Sequence, residues 1–453
     1  MKRLEADRQK TAAILGAGFL LRLFYVLFST IYDRQYDIGM IDLDAGRTVT
    51  GGHLAYIQYL YENWHLPDFN PTEVYQFHHP PLHHYCCAAW MKFCSLFIRD
   101  TDVLEESIQA VPFVCSLLIL MVLLRILRQF SLREKTVQLL MALFAFHPAL
   151  ILLSGSVNND CMALLFTLLC VYTTIRWSRA QTYPNILAIG LSIALGMLAK
   201  QNVAEMAFPI GAVFLYVFVK NRKTSGYPGR LLRQFAVFGA VSIPLGMSFY
   251  VRNLVLYDVP LVWVYTLPED SWQYTGNVPL LNRFLWPVPA EMLNNLRHFQ
   301  IGCGYNVWMQ IIRTSVLGEW DMAGVGRGVK VLAVLLMAAG AALAFAAFLA
   351  FWNVFVSGKN GQDGQQEADI PCRILFAVGY LVNLIFYLVF AYRYPQQCSM
   401  HFRYIEIELL FPAVALGIVW QRTRKKWLSR GLVALLIAFC LLSTGMTTVW
   451  CLL

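Results

Sequence analysis

Apolar residues in this chain recur as long unbroken runs, with short polar gaps between them. The runs fall near 11–31, 81–98, 107–128, 136–154, 158–177, 185–200, 203–220, 233–251, 329–356, 372–392, 403–420 and 431–452. A helical run of about 18 to 25 apolar residues crosses a hydrocarbon layer of about 30 Å. The pattern therefore predicts an all-α integral membrane protein, one polytopic domain over residues 1–453. The longest polar interruptions, 32–106 (less the run at 81–98) and 252–328, are where chemistry outside the lipid has room.

Charge decides how many runs cross. Lys2, Arg3, Arg8 and Lys10 precede the first run and place the N-terminus inside. That run is too long for a signal peptide and lacks a small-residue cleavage site, so it stays as a span. Counting all twelve runs would leave Arg125, Arg128, Arg133 and Lys135 outside, against the positive-inside rule. The weakest run, 81–98, is short and carries His83, His84 and Lys92, so it is assigned to the outer interface. About eleven spans remain, and Arg176, Arg179, the group from Lys220 to Arg233, and Arg422, Arg424, Lys425 and Lys426 all fall inside. The first loop 32–106, the turn 155–160, the junction 200–203, the loop 252–328 and the segment 393–402 then share the outer face. Loop 252–328 has the Pro, Gly and Trp to form a small cap with short helices, and 357–369 reads as a flexible inner connector. No internal repeat is evident.

Composition agrees: 58% hydrophobic, 14% charged, mean hydropathy +0.53. The net charge of +9 sits in short gaps between runs, which argues for orientation in a bilayer and against nucleic-acid binding. The eleven cysteines lie mostly in or beside apolar runs without ligand spacing and read as small buried hydrophobes. Cys303 and Cys398 both fall in outer loops, which leaves a disulfide between them open.

The first loop concentrates the unusual polar residues. Asp37, in YDIG, lies about six residues past the first span and can serve as a general base at the membrane surface; a solvated acidic loop shared with Asp33, Asp42 and Asp44 is the competing reading. HLAYIQYLYENW puts Leu54, Ile57, Leu60, Tyr61 and Trp64 on one face of an interfacial helix. In HHPPLHH, Pro80 and Pro81 fix an extended approach to a helix that begins near Leu82. His78, His79 and His83 can hydrogen-bond a sugar or phosphate, or simply sit as polar groups at a helix start. With Glu73 they leave a divalent metal open, although adjacent histidines on extended backbone point apart and no tetrahedral spacing is present. Elsewhere, Asp160 opens a helix where an acid is favoured by the dipole, so a cap and a site are both open. Lys200, in LAKQN, sits between two runs with almost no loop, where a cation needs a partner. Arg252 in YVRN and Arg403 in HFRY stand at outer span ends, and the three cations together suit a phosphate at the lipid boundary, although each could merely snorkel.

In these residues the chain resembles the C-type glycosyltransferases, in particular the bacterial branch related to protein O-mannosyltransferases and the lipid A aminoarabinose transferase. The likeness lies in YDIG, HHPPLHHY, NND, LAKQN, YVRN and FRYIEIELLFP, in that order along most of the chain. The resemblance implies an inverting transferase that takes a sugar from a polyprenyl phosphate and passes it to a glycan, lipid or protein acceptor at the outer face of the plasma (inner) membrane. Asp37 matches the acid that acts as base, Asp160 the second-loop acid, and Lys200, Arg252 and Arg403 positions that hold lipid phosphate or donor. Tyr36 stands where the family's first loop carries a second polar partner. Such chemistry requires no cofactor, and the chain has no Gly-rich phosphate loop for a nucleotide sugar. The alternative is a transporter or flippase for a polyprenyl-linked or anionic substrate, which predicts charges in the middle of several spans and broken helices paired between two halves.

Overall fold

The computed structural model describes residues 2–31, 51–285, 304–320, 322, 324–357 and 368–452. Asp37, with its neighbours Asp33, Asp42 and Asp44, and Cys303 lie outside the described residues. Among those described the regular elements are helical, and eight helical segments are long and apolar enough to cross a membrane: Glu5–Leu27, Thr101–Leu127, Asp160–Arg179, Gln201–Asn221, Tyr227–Tyr257, Arg327–Val356, Ile370–Arg393 and Lys426–Leu452. Three further expected spans are shorter or interrupted. One is the helix Tyr183–Ala199. The run 403–420 is made of two 3₁₀ turns, Phe402–Tyr404 and Glu406–Leu409, before the helix Leu410–Arg422. The run 136–154 divides at His147 into α-helices Glu134–Phe146 and Pro148–Leu152.

For reference below, α1 is Lys2–Leu27, α2 His53–Asn63, α3 Leu82–Cys94, α4 Thr101–Glu106, α5 Ala110–Leu127, α6 Glu134–Phe146, α7 Pro148–Leu152, α8 Asp160–Arg179, α9 Tyr183–Ala199 and α10 Ala207–Asn221. They are followed by α11 Tyr227–Tyr257, α12 Leu280–Phe284, α13 Val307–Leu317, α14 Arg327–Phe351, α15 Ile370–Arg393, α16 Leu410–Arg422 and α17 Lys426–Leu452. The most enclosed of the long helices is α8, which packs against α5, α9, α10 and α15 and is buried on nearly every side. Its first residue, Asp160, marks one end of the bundle.

The break between α6 and α7 has a local cause. Pro148 holds His147 in extended backbone (φ −71°, ψ 125°) and has no N–H to give to the Phe144 carbonyl. Arg22, fully buried in the last two turns of α1, supplies the missing donors: Nη1 to Ala145 O at 2.7 Å and Gly18 O at 3.1 Å, Nη2 to Phe144 O at 3.4 Å, and Nε to Ser116 Oγ at 2.8 Å. A guanidinium at membrane depth is tolerated because carbonyls and a hydroxyl surround it.

The segment between α1 and α5 is tied down on either side of residues 32–50. Ile31 N–H donates to the Glu106 carboxylate at 3.1 Å, and Gln109 Nε2 donates to Ser29 O. On the other side Gly51 bridges Tyr75 at φ +122°, where a Cβ would lie 2.7 Å from the Tyr75 carbonyl, so only glycine fits. α2 and α3 pack together through Leu54, Tyr56, Ile57, Leu60, Cys87, Ala88 and Met91. The expected apolar face of α2 is shifted: Tyr61 is half-buried and Trp64 is exposed, because Trp64 ends the helix in the left-handed region (φ 57°) and turns away from it.

The basic links gather at the opposite end. Arg179 donates to Gln129 O at 2.6 Å and pairs with Asp369 at 3.2 Å, Gln421 Nε2 donates to Ser131 O, and Tyr227 Oη donates to Gln181. Ser131, between α5 and α6, and Ser225, between α10 and α11, are exposed there. Cysteines placed at either position in a cysteine-free background should react with an impermeant thiol reagent only from the inner side of the membrane; labelling of both from outside would invert the orientation.

Candidate active site

The site begins at the turn that opens α8. Asn158 Oδ1 accepts the Asp160 N–H at 3.1 Å, and Asn159 Nδ2 donates to Ala199 O at 2.7 Å. That second bond fastens the start of α8 to the end of α9, and the next residue on each strand of chain then meets its counterpart: Lys200 Nζ pairs with Asp160 Oδ1. Lys200 is free to reach inward because α9 stops there in extended backbone and the chain resumes as a 3₁₀ turn, Gln201–Met206.

From the other side of the bundle Arg403 Nη1 approaches Asp160 Oδ2 at 3.5 Å. Its segment is fixed by Phe402 N–H, which donates to Thr314 Oγ1 of α13 at 2.8 Å, and by Tyr387 Oη of α15, which donates to Met400 O at 2.7 Å. Tyr404 lies beside both cations: Lys200 Nζ and the Arg403 guanidinium are each 4.8 Å from its ring centre, and Arg403 Nη2 donates to its hydroxyl at 3.0 Å. Asp160, Lys200, Arg403, Tyr404, Glu406 and Asn202 line one cavity, which continues between α8 and α15 past Thr167 and Asn383. Burying this ion cluster is costly unless each charge is paired, and a carboxylate between two cations meets that condition.

A cluster of histidines stands next to it. His83, fully buried, makes a 2.9 Å hydrogen bond with the Val157 carbonyl, three residues before Asp160. His84 Nε2 lies 3.0 Å from His53 Nδ1, and the His53 ring stacks on His79 at 5.2 Å. His78 packs on His79 with ring centres 4.3 Å apart and edge-on to Trp263, which follows α11. His78 and His79 thus pack side by side instead of pointing apart, whereas the rings of His83 and His84 stand at 84° and turn to Val157 and His53. The Pro80–Pro81 step folds the string back on itself, with Gln76 in the left-handed region (φ 68°) just before it. Burial, and then the presence of His53, pushes His78 down to about 3; burial pushes His83 down to about 4 and His79 and His84 well below the usual imidazole value. All four are neutral at pH 7, able to donate and accept hydrogen bonds. Among the described residues no group of three His, Cys, Asp or Glu side chains is placed to hold a metal ion.

The structure brings Asp160, Lys200 and Arg403 into one cluster and sets His78, His79 and His83 beside it. Arg252 is occupied elsewhere: Nη2 donates to Pro67 O at 2.6 Å and Nη1 to Asn253 Oδ1 at 3.0 Å, with the guanidinium 5.5 Å from the Tyr257 ring. Two residues of the site escape a reading of the sequence. His53 sits 25 residues before the His78–His79 pair, inside an amphipathic helix, and Glu406 looks like one acid of a span-end motif.

Residues 78–245 match the family model described as dolichyl-phosphate-mannose-protein mannosyltransferase. A comparison with curated proteins finds no match. Among solved structures, the chain is similar to the Archaeoglobus fulgidus oligosaccharyltransferase in the apo form, with TM-score 0.47 and 12% identity over 96% of this chain and 56% of that one. It is similar also to the archaeal oligosaccharyltransferase AglB of that organism in complex with an inhibitory peptide and a dolichol-phosphate, with TM-score 0.46, 12% identity and the same coverage. ArnT from Cupriavidus metallidurans in the apo state aligns with TM-score 0.39 and 12% identity over 92% of this chain and 77% of that one. The chain spans little more than half the length of the archaeal enzyme.

The neutral histidines set a pH dependence. A histidine whose pKa is lowered in the fold takes up its proton more readily unfolded, so stability is full above the unfolded value of 6.5 and is lost as pH falls towards the folded value, about 4 for His83. A tenfold difference in proton affinity between folded and unfolded chain corresponds to about 1.4 kcal/mol. The thermal midpoint of the purified protein should fall between pH 6.5 and 4, and fall less in a His83→Gln variant; a flat profile in the wild type would contradict the neutral cluster.

Proposed function

We propose that this chain is a C-type glycosyltransferase that moves a sugar from a polyprenyl phosphate to an acceptor hydroxyl at the outer face of the membrane, with inversion at the anomeric carbon, a reading supported by the match of residues 78–245 to a mannosyltransferase family model. The observation that carries the reading is the convergence of Lys200 and Arg403 on Asp160 in a cavity open between helices, at the end of the bundle where both anchors of the first outer loop lie. Cations at that depth suit a phosphate whose lipid tail stays in the bilayer. The family description names a polyprenyl-type phosphate sugar, dolichyl-phosphate-mannose, as its donor.

In the proposed reaction the acceptor oxygen attacks the anomeric carbon while Asp37 takes its proton, the bond from that carbon to the phosphate oxygen breaks, and the lipid phosphate leaves with the bonding electron pair. Lys200 and Arg403 stabilise the charge that develops on the leaving phosphate, the step where electrostatic assistance counts most. Asp160 holds the two cations in place and apart. His78 and His79, neutral and half-buried beside the cluster, hydrogen-bond the sugar hydroxyls, whereas His83, expected to share that role, is fully buried and instead holds the turn before Asp160 through the Val157 carbonyl. Arg252 keeps the Pro67 segment of the first outer loop against α11 and acts on the donor through that loop. A divalent metal near the donor phosphate would add to the same stabilisation.

Transfer from a synthetic polyprenyl-phosphate sugar by protein in vesicles tests these roles. A hydrogen bond to a charged group contributes about 1.5 to 3 kcal/mol, so Lys200→Ala and Arg403→Ala should each reduce donor use about tenfold or more. Asp37→Asn should lose about 10² to 10⁴ in rate, the usual contribution of a general base, while Asp33→Asn keeps most activity. Equal behaviour of the two Asn variants would mean a solvated acidic loop and move the base to Asp160; unaltered donor use in both cation variants would remove the phosphate site.

A further inference from the structure

Glu406 lines the same cavity as Asp160, Lys200 and Arg403, and the proposed chemistry has not used it. It is 6% exposed, and its Oε1 is buried without a hydrogen-bond partner among the described residues. Asp160 faces it from α8, Lys200 from the end of α9, and Arg403 from the preceding turn of its own segment. Glu408, on the same 3₁₀ turn, is also buried and faces Glu205.

Charge accounting separates two states of this cluster. With Glu406 ionised, two cations and two carboxylates cancel, and a lipid phosphodiester would enter as an uncompensated negative charge. With Glu406 protonated, Asp160, Lys200 and Arg403 sum to one positive charge, equal and opposite to that of a phosphodiester. An ionised carboxylate with a buried oxygen that accepts no hydrogen bond is among the costliest groups a protein can hold, and neutralising it is the ordinary remedy. Asp160, by contrast, has a cation at each oxygen.

We propose that Glu406 stands in the cavity as a neutral carboxylic acid whose O–H donates to an oxygen of the bound lipid phosphate, leaving the other three side chains with the net positive charge that balances it. This rests on the reading of the cavity as the donor phosphate site. When the bond between the sugar and the phosphate breaks, the phosphate gains one further negative charge and the hydrogen bond from Glu406 strengthens. The proton stays on Glu406, and the acceptor's proton goes to the base. The residue thereby favours the lipid phosphate leaving group over the intact donor.

Infrared spectroscopy and ligand binding on the full-length protein in nanodiscs test this. At pH 7 the wild type should show a carbonyl stretch of an un-ionised carboxylic acid that is lost in Glu406→Gln, with Glu408→Gln identifying any band from that neighbour. Farnesyl phosphate serves as the probe. Glu406→Gln, which keeps a neutral N–H donor, should bind it about tenfold more tightly than Glu406→Ala, the effect of one hydrogen bond to a charged group. Wild-type binding of farnesyl phosphate without a band assignable to Glu406 overturns the inference alone, as do Gln and Ala variants that bind equally. If the wild type binds farnesyl phosphate no more tightly than farnesol, the donor reading itself falls, whatever the infrared spectrum shows.

Discussion

A carboxylate out of reach of water must be paired, and that requirement organises this molecule. Asp160 is the first residue of the most enclosed helix, and its side chain is almost wholly buried. The helix dipole helps, but a terminal dipole contributes of order 1 kcal/mol, too little to offset the loss of hydration. Lys200 and Arg403, from segments 40 and 243 residues away in sequence, make up the difference. Each of those segments interrupts regular α-helix near its cation: α9 ends at Ala199, and the run that becomes α16 starts as 3₁₀ turns. The irregular backbone is located where an ion cluster is needed and where a cavity gives it polar surroundings.

The same economy explains how the cluster is aimed. Asn159 and Asp160 engage Ala199 and Lys200 as two adjacent pairings, one to backbone and one to side chain, so the register between α8 and α9 sets the ion pair. Further into the bundle Arg22 completes the helix end that Pro148 leaves open, and the chain then runs through α7 to Val157, whose carbonyl meets His83. The histidine cluster and the ion cluster are therefore two readouts of one turn, 153–160. On the proposed reading, the neutral hydrogen-bonding surface takes the sugar and the charged pocket beside it the phosphate.

Much of this was open to a reading of the chain. Run length predicts the membrane helices, and the run 81–98, the weakest of the twelve, forms the 13-residue α3 packed on α2. Asp160, Lys200 and Arg403 stand out because charges beside long apolar runs need partners. The break at His147 did not stand out, since hydropathy averages over a single proline and its consequence depends on Arg22 from another helix. Periodicity places Trp64 on the apolar face of α2, and it fails there because a left-handed residue ends the helix. His53 and Glu406 look ordinary in their local sequence, and their surroundings come from segments far along the chain. Arg252 shares the sequence signature of the other two cations and bonds Pro67, between α2 and α3, and its neighbour Asn253.

On this reading the cavity at Asp160 serves bond breaking at a lipid-linked phosphate and not passage of an intact lipid. Protein in sealed vesicles, given a synthetic polyprenyl-phosphate mannose and an extract of envelope acceptors on the outer side, separates the two by mass spectrometry of the lipid. Free polyprenyl phosphate is expected in the protein-containing vesicles, in amounts equal to the mannose newly attached to acceptor. Intact donor recovered on the opposite leaflet, with no free polyprenyl phosphate formed, would contradict bond breaking at this site.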